Sequence, residues 1–80
     1  MRKFNGKSNV TGSFIGQKLI EQNITKEDFC RKLQLNGLNI DRYHLYDMLD
    51  GKVIIKDFEL LIICNILKLN YDELKLLVNK

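Results

Sequence analysis

The residues best suited to recognition chemistry in this chain are clustered in one short segment, DRYHLYDMLD at positions 41–50. Its apolar residues Leu45, Met48 and Leu49 recur at i, i+3 and i+4, which predicts a short amphipathic helix with these side chains buried. The opposite side presents an arginine, two tyrosines and two aspartates: Arg42, Tyr43, Tyr46, Asp47 and Asp50. Such side chains are suited to hydrogen bonding with a macromolecular partner.

His44 is the only histidine, and its neighbours argue against catalysis or metal binding. A catalytic histidine needs a nucleophile or an orienting carboxylate, and a metal site needs further ligands, whereas Asp47 at i+3 is a single partner. A surface histidine that contacts backbone or phosphate is the simpler interpretation. The sequence has no glycine-rich phosphate loop and no supported pair of catalytic carboxylates, so we expect neither an enzyme nor a cofactor.

The chain has 80 residues, which is enough for one small domain, and its 45% apolar content is typical of a soluble globular protein. The longest apolar run, residues 60–64, is far too short to cross a membrane. The first residues lack the continuous apolar stretch of a secretory signal, so we expect a cytoplasmic protein. Cys30 and Cys64 form no metal-ligand pattern, and we predict that both are reduced core residues.

Five helices are predicted from caps, apolar spacing and stop signals. Residues 1–12 resemble a flexible basic arm, and residues 13–80 form the folded domain, with Ser13 as an N-cap. The first helix contains Gly16, for which close contact with a neighbouring helix would offset the loss of helix propensity. Thr25 caps the second helix, which ends near residues 36–37. Asp41 caps the third helix, which Gly51 ends.

The remaining segments complete the bundle. Val53, Ile54 and Ile55 are β-branched, but no second alternating strand exists to pair with them, so a loop folded on the core is the better interpretation. Asp57 is expected to cap a fourth helix that runs to about Leu67. A fifth apolar stripe lies within residues 71–79. These elements predict an all-α, compact five-helix bundle.

Three motifs in this order resemble the phage-repressor and Cro-like family of helix-turn-helix proteins, also called Xre-like. They are IGQKLIEQNITKEDFCRKL at 15–33, DRYHLYDMLDGK at 41–52 and DFELLIICNILKLNYDEL at 57–74. The connection between the second and third helices is longer than the family's tight turn, and it resembles a variant subgroup. The resemblance implies a lambda-repressor-like fold and double-stranded DNA as the partner, with helix 42–50 in the major groove.

The resemblance places four side chains at base edges: Arg42, Tyr43, Tyr46 and Asp47. Arg42 is the strongest candidate, because a guanidinium can bond the O6 and N7 atoms of guanine together. The tyrosines are equally suited to a thymine methyl or a phosphate and to a protein partner. Phosphate contacts are expected from Lys26, His44, Lys52 and Lys56, although solvated lysines are the alternative.

The distribution of charge is consistent with this expectation. Residues 1–56 carry ten basic and six acidic side chains (+4), whereas residues 57–80 carry three and four (−1). The arm cations Arg2, Lys3 and Lys7 would follow a groove of the DNA, or belong to a disordered end.

Asp47 and Asp50 argue the other way, because carboxylates are repelled by phosphate, and only a cytosine amino group would favour one at a base edge. Two functions therefore remain open: a dimeric, sequence-specific transcriptional regulator, or a protein-interaction module that kept the fold and lost DNA binding. Apolar residues of the last two helices, including Ile62, Tyr71 and Leu76, could form the dimer surface or pack within one chain.

Overall fold

Five α-helices and a terminal 3₁₀ turn build the part of the chain that the computed structural model describes, residues 2–78, and this part contains no β-strand. The elements are α1 (Gly12–Glu21), α2 (Lys26–Leu35), α3 (Arg42–Leu49), α4 (Asp57–Leu67), α5 (Tyr71–Leu74) and the turn Lys75–Leu77. The Cα radius of gyration is 12.0 Å. The predicted all-α five-helix bundle is confirmed.

The helix starts of α2 and α3 use the caps that the sequence predicts. The Thr25 hydroxyl accepts a hydrogen bond from the backbone N–H of Asp28 at 3.1 Å, and the Asp41 carboxylate accepts one from the N–H of His44 at 2.8 Å. Each bond satisfies a donor that has no partner inside the helix. Because α3 is only eight residues long, the Asp41 cap is important for the stability of its first turn.

The start of α1 differs from the prediction. Ser13 lies inside the helix, which begins at Gly12, so the prediction of Ser13 as the N-cap is wrong. The carboxamide oxygen of Asn9 instead accepts the Gly12 N–H at 2.8 Å. The close contact expected at Gly16 is also wrong, because a Cβ there would have no neighbour within 4 Å.

The start of α4 also lies one residue from the predicted cap. Lys56 is the N-cap and Asp57 the first helical residue, so the expectation that Asp57 caps the helix is wrong. The Glu59 carboxylate accepts the backbone N–H of Lys56 at 2.7 Å, which is the carboxylate half of a capping box. Glu59 is the only charged side chain buried in residues 2–78, and this bond satisfies it.

One contiguous core lies between α1, α2, α3 and α4. Its fully buried side chains are Ile15, Leu19, Phe29, Leu33, Leu45, Met48, Ile63 and Leu67. The connector adds Leu38 and Ile40, and the loop after α3 packs Val53 and Ile55 against the same cluster, as predicted, whereas Ile54 of that loop is 47% exposed. Burial of these loop side chains ties α3 to both its neighbours.

Both cysteines are free thiols, and Cys30 belongs to the core as predicted, whereas Cys64 lies outside the core cluster and the prediction of a core residue is wrong for it. Cys30 is buried, and Cys64 is half-buried, where burial raises the pKa of its thiol. Within residues 2–78, no helix is long and apolar enough to cross a membrane.

The segment predicted as a flexible arm makes defined contacts with the helical body. Phe4 and Lys7 exchange backbone hydrogen bonds of 2.9 and 3.0 Å around a turn at residues 5–6. The Ser8 N–H donates to the Gly51 carbonyl at 2.9 Å. Flexibility of residues 1–12 stays a prediction, whereas Ser8 and Asn9 lie against the end of α3.

An ion pair fastens α5 to α1 and makes its attachment sensitive to acid. The Lys18 ammonium lies 3.0 Å from the Glu73 carboxylate, and this hydrogen bond lowers the pKa of Glu73, assisted by the N–H of Asn70. A lowered pKa means that the stabilisation is present above the ordinary glutamate pKa and is lost as the pH falls through the folded value. We therefore expect stability to decline as the pH falls below the ordinary glutamate pKa.

Urea unfolding at neutral and acid pH measures this decline. Lys18→Met should reduce the loss of unfolding free energy between neutral and acid pH, because protonation of Glu73 then no longer breaks an ion pair. Lys75→Met, which removes a cation paired at 3.5 Å with the highly exposed Asp72, is the matched control and should leave the pH dependence nearly unchanged. Equal effects of the two variants would contradict a specific role for Lys18.

Candidate nucleic-acid interface

The outward side of α3 carries an arginine held against a tyrosine. Arg42 donates from Nη2 to the Tyr43 hydroxyl at 3.1 Å, and its guanidinium carbon lies 5.0 Å from the centre of the Tyr43 ring. Tyr43 is 64% exposed, so the pair forms part of the molecular surface. The contact restricts the conformations of the guanidinium before any partner binds. The loss of side-chain entropy on binding is therefore smaller.

A second cation and aromatic ring meet where the start of α2 approaches α3. The ammonium of Lys26 lies 5.4 Å from the centre of the Tyr46 ring, within the range of a favourable cation–π contact. Lys26 is exposed, and Tyr46 is half-buried. Two predicted base-edge residues, Arg42 and Tyr46, and the predicted phosphate contact Lys26 thus belong to one surface formed by α2 and α3.

Two more predicted cations gather at the opposite end of α3. Lys7 donates from Nζ to the backbone carbonyl of Asp50 at 3.3 Å, and the Lys52 ammonium lies 4.0 Å from the Asp50 carboxylate. The Lys52 and Asp50 side chains are 68% and 60% exposed. This exposed pair is weakly coupled in water, so Lys52 is able to exchange Asp50 for a phosphate.

His44 of α3 and Lys56, the N-cap of α4, lie together in a separate cleft. They line a cleft between the start of α3 and the start of α4, together with Gln34, Asn39 and Glu59. The structure therefore separates the predicted phosphate contacts into three groups: Lys26 beside Tyr46, Lys52 beside Lys7, and His44 with Lys56. These groups border the exposed side of α3 on different edges.

The two carboxylates on the outward side of α3, Asp47 and Asp50, differ in their surroundings. Asp50 has Lys52 as a partner, whereas Asp47 is half-buried on α3 between the turns that carry Tyr43 and Asp50. The remaining predicted cations, Arg2 and Lys3, are exposed and precede the turn at residues 5–6. Within residues 2–78, no group of three or more His, Cys, Asp or Glu side chains is placed to hold a metal ion.

Asn9 positions the end of α3, and the sequence interpretation did not include it. Its amide nitrogen donates to the carbonyls of Met48 at 3.0 Å and Val53 at 2.7 Å, while its oxygen accepts the Gly12 N–H. One side chain thereby joins α1, α3 and the following loop. No signal in the sequence distinguished it, because Asn9 stands among polar residues that are equally typical of an unstructured arm.

Comparisons with known proteins return no match: no protein-family model matches the chain, and neither does any curated protein or solved structure.

Proposed function

We propose that the chain is a sequence-specific, DNA-binding transcriptional regulator of the phage-repressor and Cro-like helix-turn-helix kind. It acts in the cytoplasm as a homodimer and reads the major groove with α3. The observation that carries the proposal is that α3 has two cation–aromatic contacts one helical turn apart: Arg42 with Tyr43, and Lys26 of α2 with Tyr46. Base-reading and phosphate-binding chemistry are both present there.

In this proposal the start of α3 enters the major groove and α2 crosses the backbone. Arg42 bonds a guanine edge, and Tyr43, Tyr46 and Asp47 contact the neighbouring bases. Lys26, held against Tyr46, neutralises a phosphate on one side, while Lys52 does so at the far end of the helix. His44 and Lys56 reach the backbone from the cleft between α3 and α4, and the cations Arg2, Lys3 and Lys7 extend the contact along the duplex.

Asp47 and Asp50 restrict this binding rather than assist it. Asp50 is paired with Lys52 in the free protein, and it loses this partner when Lys52 binds a phosphate, so its repulsion of phosphate then remains. Asp47 has to face a hydrogen-bond donor, and the cytosine amino group is the donor that a carboxylate accepts in the major groove. We therefore expect narrow sequence preference and modest affinity.

Selection from a random-sequence duplex library at low salt is the direct test. We expect enrichment of a short motif, and we expect affinity for it to fall steeply with salt because each neutralised phosphate releases counterions. Lys26, Lys52 and Lys56 alone predict a slope of about −3 for each copy in a plot of log affinity against log salt, and contacts from the N-terminal cations would make it steeper. Failure to enrich any duplex would contradict the proposal.

Single lysine variants sharpen the test. Lys52→Ala should reduce the salt slope by about one while leaving the preferred motif unchanged. Lys32→Ala is the matched control, because Lys32 lines a different cleft beside Leu35 and Asn23, away from α3. A loss of slope in Lys32→Ala equal to that in Lys52→Ala would show that binding does not use the proposed surface.

A protein-interaction module on the same fold is the second candidate, and the surface of α3 supplies a specific reason for it. Tyr43 is largely exposed beside Arg42, and both residue types are enriched in the cores of protein interfaces. The acidic pair Asp47 and Asp50 suits a basic protein better than a phosphate backbone. Tight binding of a protein whose affinity depends on Tyr43, together with failure of the duplex selection, would favour this candidate.

A further inference from the structure

Helix α4 leaves an uncovered strip on the side opposite its core contacts. The buried residues of α4 are Glu59, Ile63 and Leu67. Phe58 and Leu61, which are 50% and 69% exposed, lie on the opposite side with the exposed Asn65. Their spacing of i, i+3 and i+7 is the a/d spacing with which one helix packs along another helix.

We propose that this strip, which we call the α4 strip, joins two copies of the chain through antiparallel α4 helices. A two-fold axis at the level of Ile63 places Leu61 of each copy against Asn65 of the other. The same surface is then used by both copies, as an isologous contact requires. A polar residue at such a position favours a single register over alternatives at a cost in affinity.

The charges at the two ends of α4 favour the antiparallel arrangement. Asp57 lies in the first turn, and the exposed Lys68 is the C-cap with φ 59°. Antiparallel helices bring Asp57 of one copy toward Lys68 of the other, whereas parallel helices would place two Asp57 carboxylates and two Lys68 ammonium groups together. The Phe58 ring already has a cation near one face, with the Lys56 ammonium 5.9 Å from its centre. Its exposed part offers Lys68 of the second copy a similar contact.

The size of the α4 strip predicts a weak dimer. The exposed half of Phe58 supplies about 100 Å² of apolar surface. Leu61 adds a comparable area, and a standard interface buries about 800 Å² on each partner. We expect a dissociation constant on the order of 100 μM. Two copies bound to one duplex would meet at an effective concentration on the order of millimolar, which is enough to pair them.

This pairing specifies the homodimer of the proposed function, and it rests on that proposal only for its effect on DNA. The exposed residues Leu76 and Val78 offer a competing surface. They belong to a 3₁₀ turn and the residue after it, so they form no continuous helical strip. For that reason the α4 strip is the preferred surface, and Leu76 supplies a test of the choice.

Sedimentation equilibrium without DNA, over loading concentrations from about 10 μM to 1 mM, measures the pairing. We expect the wild-type chain to dimerise, Leu61→Lys to raise the dissociation constant at least about tenfold, and Asn65→Leu to lower it about tenfold. Leu35→Lys is the matched control, because Leu35 is 80% exposed on α2, outside the strip, and should leave the constant unchanged. Circular dichroism establishes that each variant is folded.

A wild-type chain that stays monomeric throughout this range would overturn the inference. Loss of the dimer in Leu76→Lys, with Leu61→Lys unaffected, would also overturn it by moving the interface to the end of the chain. Because DNA is absent from these measurements, failure of the duplex selection leaves their result intact. Conversely, a motif bound only by monomers would support DNA binding by α3, and it would contradict both the proposed homodimer and the role of the α4 strip.

Discussion

Gly12→Ala is expected to destabilise the protein severely, whereas Gly16→Ala in the same helix is expected to stabilise it. A Cβ on Gly12 would collide with the backbone carbonyl of Met48 and come within 2.9 Å of that of Leu49. Backbone atoms cannot rotate away as side chains do, so either α1 or the end of α3 must move. We expect a loss of at least about 3 kcal/mol, above the usual range for overpacking by one methyl group.

The gain in Gly16→Ala has a different origin. The space around Gly16 is open, and its backbone is already helical, so the methyl group meets no obstacle. Alanine is favoured over glycine in a helix by about 1 kcal/mol. In a domain of this size, that gain corresponds to a rise in the midpoint of thermal unfolding of about 4–8 °C.

Thermal and urea unfolding of the two variants beside the wild-type chain measure both effects with the same chemical change. The comparison isolates the crossing of α1 and α3, since helix propensity differs between the first residue of α1 and its interior by at most about 1 kcal/mol, well below the expected loss. Similar midpoints for the two variants would contradict the close approach at Gly12. Because Met48 and Leu49 form the end of α3, Gly12→Ala should also weaken any binding that uses α3.

Short sequence patterns predict the contacts between residues that are close together in the chain. The caps Thr25 and Asp41 bond to donors three residues away, so their roles are visible in a short stretch of sequence. Gly37 and Gly51 end or follow their helices with φ of 91° and 76°, a conformation in which glycine is favoured, and both were predicted from their positions.

The contacts that the sequence did not predict join distant parts of the chain. Asn9 bonds to carbonyls of Met48 and Val53, about forty residues away, and nothing in its own neighbourhood indicates those partners. The close approach of Gly12 to α3 was not predicted, for the same reason. The sequence analysis considered such a contact at Gly16 instead. Side-chain packing between elements depends on how helices cross, and apolar spacing alone does not determine that crossing.

The candidate site shows the same division. The sequence predicted which residues face outward from α3, and the structure agrees for Arg42, Tyr43 and Asp50, which are exposed. It did not predict that Lys26 stacks on Tyr46 or that His44 lies in a cleft with Lys56. Those associations arise from the approach of α2 and α4 to α3.

Arg42→Lys should abolish the preference for guanine at one position of the selected motif while retaining most of the affinity. Lysine keeps the positive charge and its attraction to phosphate, but a single ammonium cannot reproduce the two parallel bonds of a guanidinium to O6 and N7. The loss of discrimination expected for such a pair is about 1–3 kcal/mol, which corresponds to a roughly five- to 150-fold change in preference.

Competition between the selected duplex and its single-base variants measures this loss at each position. Arg42→Ala should relax the same position and also lower affinity for every duplex, because the charge is removed as well. Lys52→Ala should lower affinity alone, so the three variants separate base reading from charge.

Tyr43→Phe tests the hydrogen bond that holds the guanidinium: the ring contact at 5.0 Å remains and the hydroxyl partner at 3.1 Å is lost. A partial loss of the preference for guanine in Tyr43→Phe would assign Tyr43 a role in orienting Arg42. An unchanged preference in both Arg42→Lys and Arg42→Ala would exclude Arg42 from base recognition.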